Sequence, residues 1–130
     1  MALDPGKTDS VLGKEVHDHL KTLGIETPMT PNVDMLNKQK LSIIQDHFEK
    51  IMETLGLDLT DDSLEDTPRR VAKMYVNEIF YGVDYSNFPK CTKIENKMGR
   101  TGSFVLEKNI NVQSNCEHHF VVIDGFCHIA

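Results

Sequence analysis

The sequence predicts an α+β fold, with a helical region over residues 1–85 and sheet-forming segments over residues 86–130. Three observations carry that expectation. Apolar residues recur at helical spacing in three successive stretches before residue 85. Beyond it the apolar runs shorten, alternate with polar residues and gain β-branched side chains. With 130 residues, 39% of them hydrophobic, and no internal repeat, the chain has the mass for one domain with a modest core.

The first stretch runs from Ser10 to Gly24, where Leu12, Val16, Leu20 and Leu23 mark one helix face, Ser10 is placed to cap the start and Gly24 the end. The segment IETPMTPNVD then reads as a connection, because two prolines and two threonines interrupt the periodicity. In the second helix Leu41, Ile44, Phe48, Ile51, Met52 and Leu55 hold the stripe, and Gly56 stands at the natural stop. The third begins at Thr67-Pro68, a cap followed by a first-position proline, and buries Val71, Met74, Tyr75 and Ile79 on the way to Gly82. Three strand candidates follow, KCTKIENKM, SFVLEKNINVQ and HFVVIDGFCHIA, split by Gly99, Gly102 and the pair Asp124-Gly125. The last of them meets Ala130 in mid-pattern, as expected of a chain that is incomplete or whose edge pairs with something else.

Charge and composition remove several function classes. Twenty acidic residues against 14 basic ones give a formal charge of -6, which argues against general affinity for nucleic acid or anionic membranes. No stretch approaches the roughly 18 consecutive apolar residues of a membrane span, and the first twenty residues contain no signal-like apolar core. Three cysteines, Cys91, Cys116 and Cys127, do not make a disulfide framework and suit a reducing cytoplasm.

Two motifs carry chemistry. In NCEHHF, residues 115–120, a thiol, a carboxylate and two imidazoles occupy consecutive positions. The C-x-x-H spacing lets Cys116 and His119 converge on one zinc ion, while His118 beside them is suited to general acid–base work because imidazole titrates near neutrality. The plain alternative is a small buried cysteine flanked by two half-exposed strand histidines. In TPRRVAK, residues 67–73, Arg69, Arg70 and Lys73 lie in the first turns of a helix, where unpaired N–H groups favour an anion. Its alternative is a solvated face whose charges answer the acidic DDSLED just before it. Cys127 and His128 alternate on a strand, so at most one of them joins a metal site; His17, His19 and His47 read as surface residues.

ETP at 26–28, LTDDSLEDTPRRVAKMYVNEIFYGVDYSNFPK at 59–90, IENKM at 94–98 and SNCEHHFVVIDG at 114–125 together closely resemble bacterial GTP cyclohydrolase I. The resemblance implies a tunnelling-fold (T-fold) sheet, of which residues 86–130 are the first strands, in a homodecamer with active sites between subunits. It implies zinc-dependent hydrolytic opening of the guanine imidazole ring of GTP, releasing formate and giving 7,8-dihydroneopterin triphosphate at the entry to tetrahydrofolate synthesis. It also implies roles by position: Cys116 and His119 as zinc ligands, His118 as proton shuttle, Arg70 and Lys73 toward the triphosphate, and Glu117 in support. Members of the family extend past the counterpart of Ala130, and their third zinc ligand and guanine-reading glutamate have no counterpart here. The expectation is therefore a GTP-dependent, oligomeric, cytoplasmic enzyme by family, with a chain inactive alone. Two other readings stay open: a non-catalytic oligomerisation or regulatory fragment, and a small structural zinc module using Cys116, His119 and two more of Cys91, Cys127 and His128.

Overall fold

The computed structural model describes residues 4–25, 27–95 and 104–130. Helices come first and a two-stranded antiparallel sheet follows, the α+β order that the periodicity predicts. The chain divides into two compact units, Met1–Cys91 and Thr92–Ala130.

In the first unit, α1 covers Ser10–Thr22, α2 covers Asn37–Thr54 and α3 covers Thr67–Met74. Asp9 caps α1 in place of the expected Ser10: its backbone is extended, and its carboxylate accepts from the N–H groups of Val11 at 3.1 Å and Leu12 at 3.0 Å. Both glycine stops behave as expected. Gly24 and Gly56 take φ of +68° and +79°, and each helix closes with paired bonds, Ile25 N–H to the Leu20 carbonyl and Leu57 N–H to that of Met52.

The core lies between α2 and α3, at Met52, Ala72 and Val76. Leu41, Ile44 and Phe48 of the expected α2 stripe are half-buried, whereas Ile51 and Leu55 are exposed. The innermost positions of α3 are Pro68 and Ala72, continued by Val76, one step round from the expected Val71, Met74, Tyr75 and Ile79; Met74 faces outward. The small Ala72 side chain suits close approach to α2. Thr67 is not the cap expected from the sequence, because the Asp66 carbonyl already accepts the first helical bond, from Arg70 N–H at 3.0 Å. The helix does not continue uniformly to Gly82 either: over Tyr75–Ile79 it widens into a π turn, closed by Phe80 N–H on the Tyr75 carbonyl at 2.9 Å.

Returning turns at Tyr81–Val83 and Tyr85–Asn87 carry the chain back against α1. Gly13 is buried there, and a Cβ on it would stand 1.9 Å from the Tyr85 carbonyl oxygen. His17, expected to be a surface residue without a partner, stacks on the Tyr85 ring with centroids 4.4 Å apart.

The second unit is a hairpin of β1, Glu107–Asn115, and β2, Val122–Ile129. Pairing runs from Asn115 opposite Val122 to Ile110 opposite Cys127, and an irregularity between Glu107 and Ile110 coincides with Asn109 at φ +57°. Asp124-Gly125 does not split the strand as expected. It sits inside β2, with Gly125 opposite Val112, and the reversal falls on Cys116–Val121, where Phe120 takes φ +55°. Of the expected strand KCTKIENKM, residues 92–95 carry no strand structure and residues 96–98 lie outside the described residues, as do Gly99, Gly102 and Glu26 of the ETP motif. Paired residues share a face, so Ile110, Val112, Ile123, Cys127 and Ile129 line one side of the hairpin, while Asn111, Gln113, Asp124 and His128 share the other with Val122 and Phe126. No described helix is long and apolar enough to cross a membrane.

Candidate functional site

The reversal between β1 and β2 presents the CEHH residues. Cys116 N–H donates to the Val121 carbonyl and Phe120 N–H to that of Cys116, both at 2.8 Å, so the six residues Cys116–Val121 are folded into one tight turn. Within it Cys116 is half-buried, while Glu117, His118 and His119 are exposed. The Cys116 thiol lies 3.5 Å from Nδ1 of His118, and the His118 and His119 rings stand 6.5 Å apart between centroids. Thus the turn draws together Cys116 and His118 first, with His119 next to them. Asn115 Oδ1, immediately before the turn, is buried without a hydrogen-bond partner.

A thiol and two imidazoles on one turn are the donor set that zinc prefers. Their chemistry therefore fits the metal implied by the resemblance. Their gathering does not complete a site: among the described residues no group of three or more His, Cys, Asp and Glu side chains is positioned to hold a metal ion. Cys127 pairs across the sheet with Ile110, while His128 Nδ1 accepts from Asn109 N–H at 3.1 Å, which commits that imidazole to the strand irregularity.

Arg69, Arg70 and Lys73 lie on α3, in the other unit. Asp66 grips the Arg69 guanidinium through both carboxylate oxygens, at 3.1 Å to Nε and 2.5 Å to a terminal nitrogen. The same carboxylate reaches Arg70 only at 3.8 Å, and the Arg70 side chain is 66% exposed. Lys73 is exposed too. The acidic run thus answers Arg69 and leaves Arg70 and Lys73 turned toward solvent.

The hydrogen-bonded Arg69 guanidinium holds the Asp66 carboxyl below its ordinary value of 3.8, with the charges of Arg70 and Lys73 acting in the same direction. A lowered folded value means that the pair's stabilisation is complete above 3.8 and is lost as pH falls through the lower folded value. An acid titration followed by far-ultraviolet circular dichroism is therefore expected to be less steep in this range for Asp66→Asn than for the parent chain. Identical acid limbs would show that the pair contributes nothing in solution.

The family model for GTP cyclohydrolase I matches residues 44–130 of this chain. The chain belongs to the GTP cyclohydrolase I family. It is 56% identical over 111 residues to the GTP cyclohydrolase 1 of Aeromonas salmonicida, an alignment covering 85% of this chain and 50% of that protein. The corresponding protein of Aeromonas hydrophila is 54% identical over 111 residues, with the same coverage. That of Salmonella arizonae is 53% identical over 116 residues, covering 88% of this chain and 52% of the relative. The chain spans about half the length of the curated relatives it matches. The family match contains both motifs, CEHH and TPRRVAK.

Two features of this neighbourhood have no signal in the sequence. The orphaned Asn115 oxygen depends on the hairpin register, and the choice of Arg69 over Arg70 by Asp66 depends on side-chain reach around one helical turn.

Proposed function

We propose that this chain supplies the first half of a zinc-dependent GTP cyclohydrolase I site, which opens the guanine imidazole ring of GTP to give formate and 7,8-dihydroneopterin triphosphate. The observation that carries the reading is the CEHH turn, a thiol and imidazoles presented together at a hairpin reversal, in a chain of this family. Cys116 and His119 hold the zinc, and Glu117 supports their orientation. When bound, the metal supplies the Lewis acidity that makes water a competent nucleophile near neutral pH.

The chain's own residues have three tasks in this reading. Cys116, fixed by its backbone bond to Val121, presents the thiol at the edge of the sheet. His118, exposed beside it, moves protons at the ring nitrogen of guanine as the imidazole ring opens. Arg70, which Asp66 reaches only at 3.8 Å, and the exposed Lys73 neutralise the triphosphate of GTP. The β1–β2 hairpin belongs to a T-fold sheet completed by further strands and by other copies in a cytoplasmic homodecamer. A two-stranded hairpin is marginal by itself, and Val112, Ile123 and Ile129 expose an apolar face in need of cover.

With two ligands of the proposed set in hand, the 130-residue chain is expected to turn over GTP no faster than its Cys116→Ala variant. Joining residues 1–130 to the remaining half of the Aeromonas salmonicida relative tests the assignment directly. Formate release from GTP is expected, and Arg70→Ala or Lys73→Ala should raise KM by about tenfold or more, the loss of one charge-assisted bond to phosphate. A folded, zinc-loaded chimera without turnover would sink the assignment.

The exposed apolar face also favours a second reading, a non-catalytic fragment that docks on copies of its family. It predicts a stable assembly of the 130-residue chain with a full-length relative in sedimentation, without gain or loss of zinc.

A further inference from the structure

We propose that a cleft in the first unit, lined by the Met29–Val33 segment, the start of α2 and the π turn with the turns that follow it, is a binding site for an uncharged purine-type heterocycle. Its volume of about 630 Å³ lies within the range of small-molecule pockets. The site shares no residue with the CEHH turn or with the proposed triphosphate-binding pair.

The first argument concerns carboxamides that face the cleft rather than a protein partner. Asn32, Asn37 and Asn77 line the cleft, and none of their carboxamides has a hydrogen-bond partner among the described residues. Asn87 in the same wall differs, since its Nδ2 donates to the Tyr81 carbonyl at 2.9 Å. Each free carboxamide offers an adjacent donor and acceptor, the pair that matches the N6–N7 edge of adenine.

The second concerns shape. The π turn at Tyr75–Ile79 widens the helix where it meets the cleft, so Tyr75, Val76 and Asn77 can all contribute to one wall. Single π turns inside helices recur at functional sites because they re-aim side chains in this way. The Tyr75 and Phe80 rings, with centroids 5.9 Å apart and tilted by 39°, place aromatic surface beside the amides, a combination that stacks and reads flat heterocycles.

Charge gives no advantage to a phosphorylated ligand. The Lys40 ammonium in the wall already donates to the Val33 carbonyl at 2.6 Å. The Asp84 carboxylate accepts from Ser86 N–H at 2.9 Å. As one cation and one anion, the two leave the wall without net charge to hold a phosphate, so the nucleoside or base is the fitting class.

Adenosine titrated into the ¹⁵N-labelled 130-residue chain tests this by amide shifts. Saturable shifts are expected at Asn32, Asn37, Asn77 and their neighbours. Asn77→Leu, which keeps volume and removes the carboxamide, should weaken binding by about tenfold, as should the exposed-site variant Asn37→Ala to a lesser degree. Adenosine 5′-monophosphate should bind within about threefold of adenosine, and Cys116→Ala should change nothing. Absence of saturable shifts overturns the proposal, as does unchanged binding in both asparagine variants. A monophosphate bound more than about tenfold tighter would mean an anion site instead. Loss of binding in Cys116→Ala would place the ligand in the other unit, and the proposal would fall while the GTP reading stood.

Discussion

Gly13→Ala is expected to destabilise the first unit by about 3 kcal/mol, at the upper end of the usual overpacking cost. The sign is informative because glycine inside a helix normally costs about 1 kcal/mol relative to alanine, so at an open position this change would stabilise. Gly13 is not at an open position. A Cβ there would lie 1.9 Å from the Tyr85 carbonyl oxygen and 2.8 Å from the Phe88 Cβ. The obstructing atom is backbone, which cannot swing aside as the tip of a long side chain would. Nor can the segment retreat easily, since Asp9 N–H donates to the Phe88 carbonyl at 2.7 Å and Lys90 N–H to that of Lys7 at 2.9 Å, tying the chain to both sides of the contact. Urea denaturation should show a lower midpoint with an unchanged slope, together with a loss of the near-ultraviolet signal from the Tyr85 ring that His17 covers. An alanine variant as stable as the parent would show that α1 does not rest on the Tyr85–Phe88 turn in solution.

That contact also marks where sequence reasoning stops. Helix positions were legible because periodicity and glycine stops are local: Gly24 and Gly56 end α1 and α2 through bonds confined to six residues. Caps were less so, since Ser10 competes with Asp9 and Thr67 with Asp66, and the winner is decided by backbone angles that composition does not reveal. Gly13 reads as an ordinary helix-weakening glycine until Tyr85 arrives from more than seventy positions away. The same holds for His17 on Tyr85. In the hairpin, Asp124-Gly125 has the composition of a turn, yet the register set by Val122, Ile123 and Cys127 carries the pairing straight through it. The candidate chemistry was legible as a cluster because CEHH is contiguous; which imidazole meets the thiol is a matter of turn geometry, and here it is His118 at 3.5 Å.

That geometry gives the second large effect. In the chimera with the Aeromonas salmonicida relative, Cys116→Ala and His119→Ala are each expected to weaken zinc binding by at least about a hundredfold, since loss of a direct ligand exceeds the 10–100-fold effect of removing a supporting contact. His118→Ala is expected to retain zinc within about threefold and to lower kcat by roughly 10²–10⁴, the usual contribution of a positioned general acid or base. The two kinds of variant separate because ligand loss acts on metal affinity, read by competition with a chromophoric chelator, whereas loss of a proton carrier acts on the pH profile of the loaded enzyme. The closeness of His118 to the thiol makes this a demanding test. Of the two imidazoles, it is Nδ1 of His118 that stands within hydrogen-bonding range of the Cys116 thiol, although the proposed ligand is His119. Zinc retained by His119→Ala and lost by His118→Ala would exchange the two roles, leaving Cys116 as the fixed ligand and His119 as the proton carrier. Equal loss in both would mean that the turn offers three donors to one ion, and general acid–base work would then have to come from residues outside CEHH.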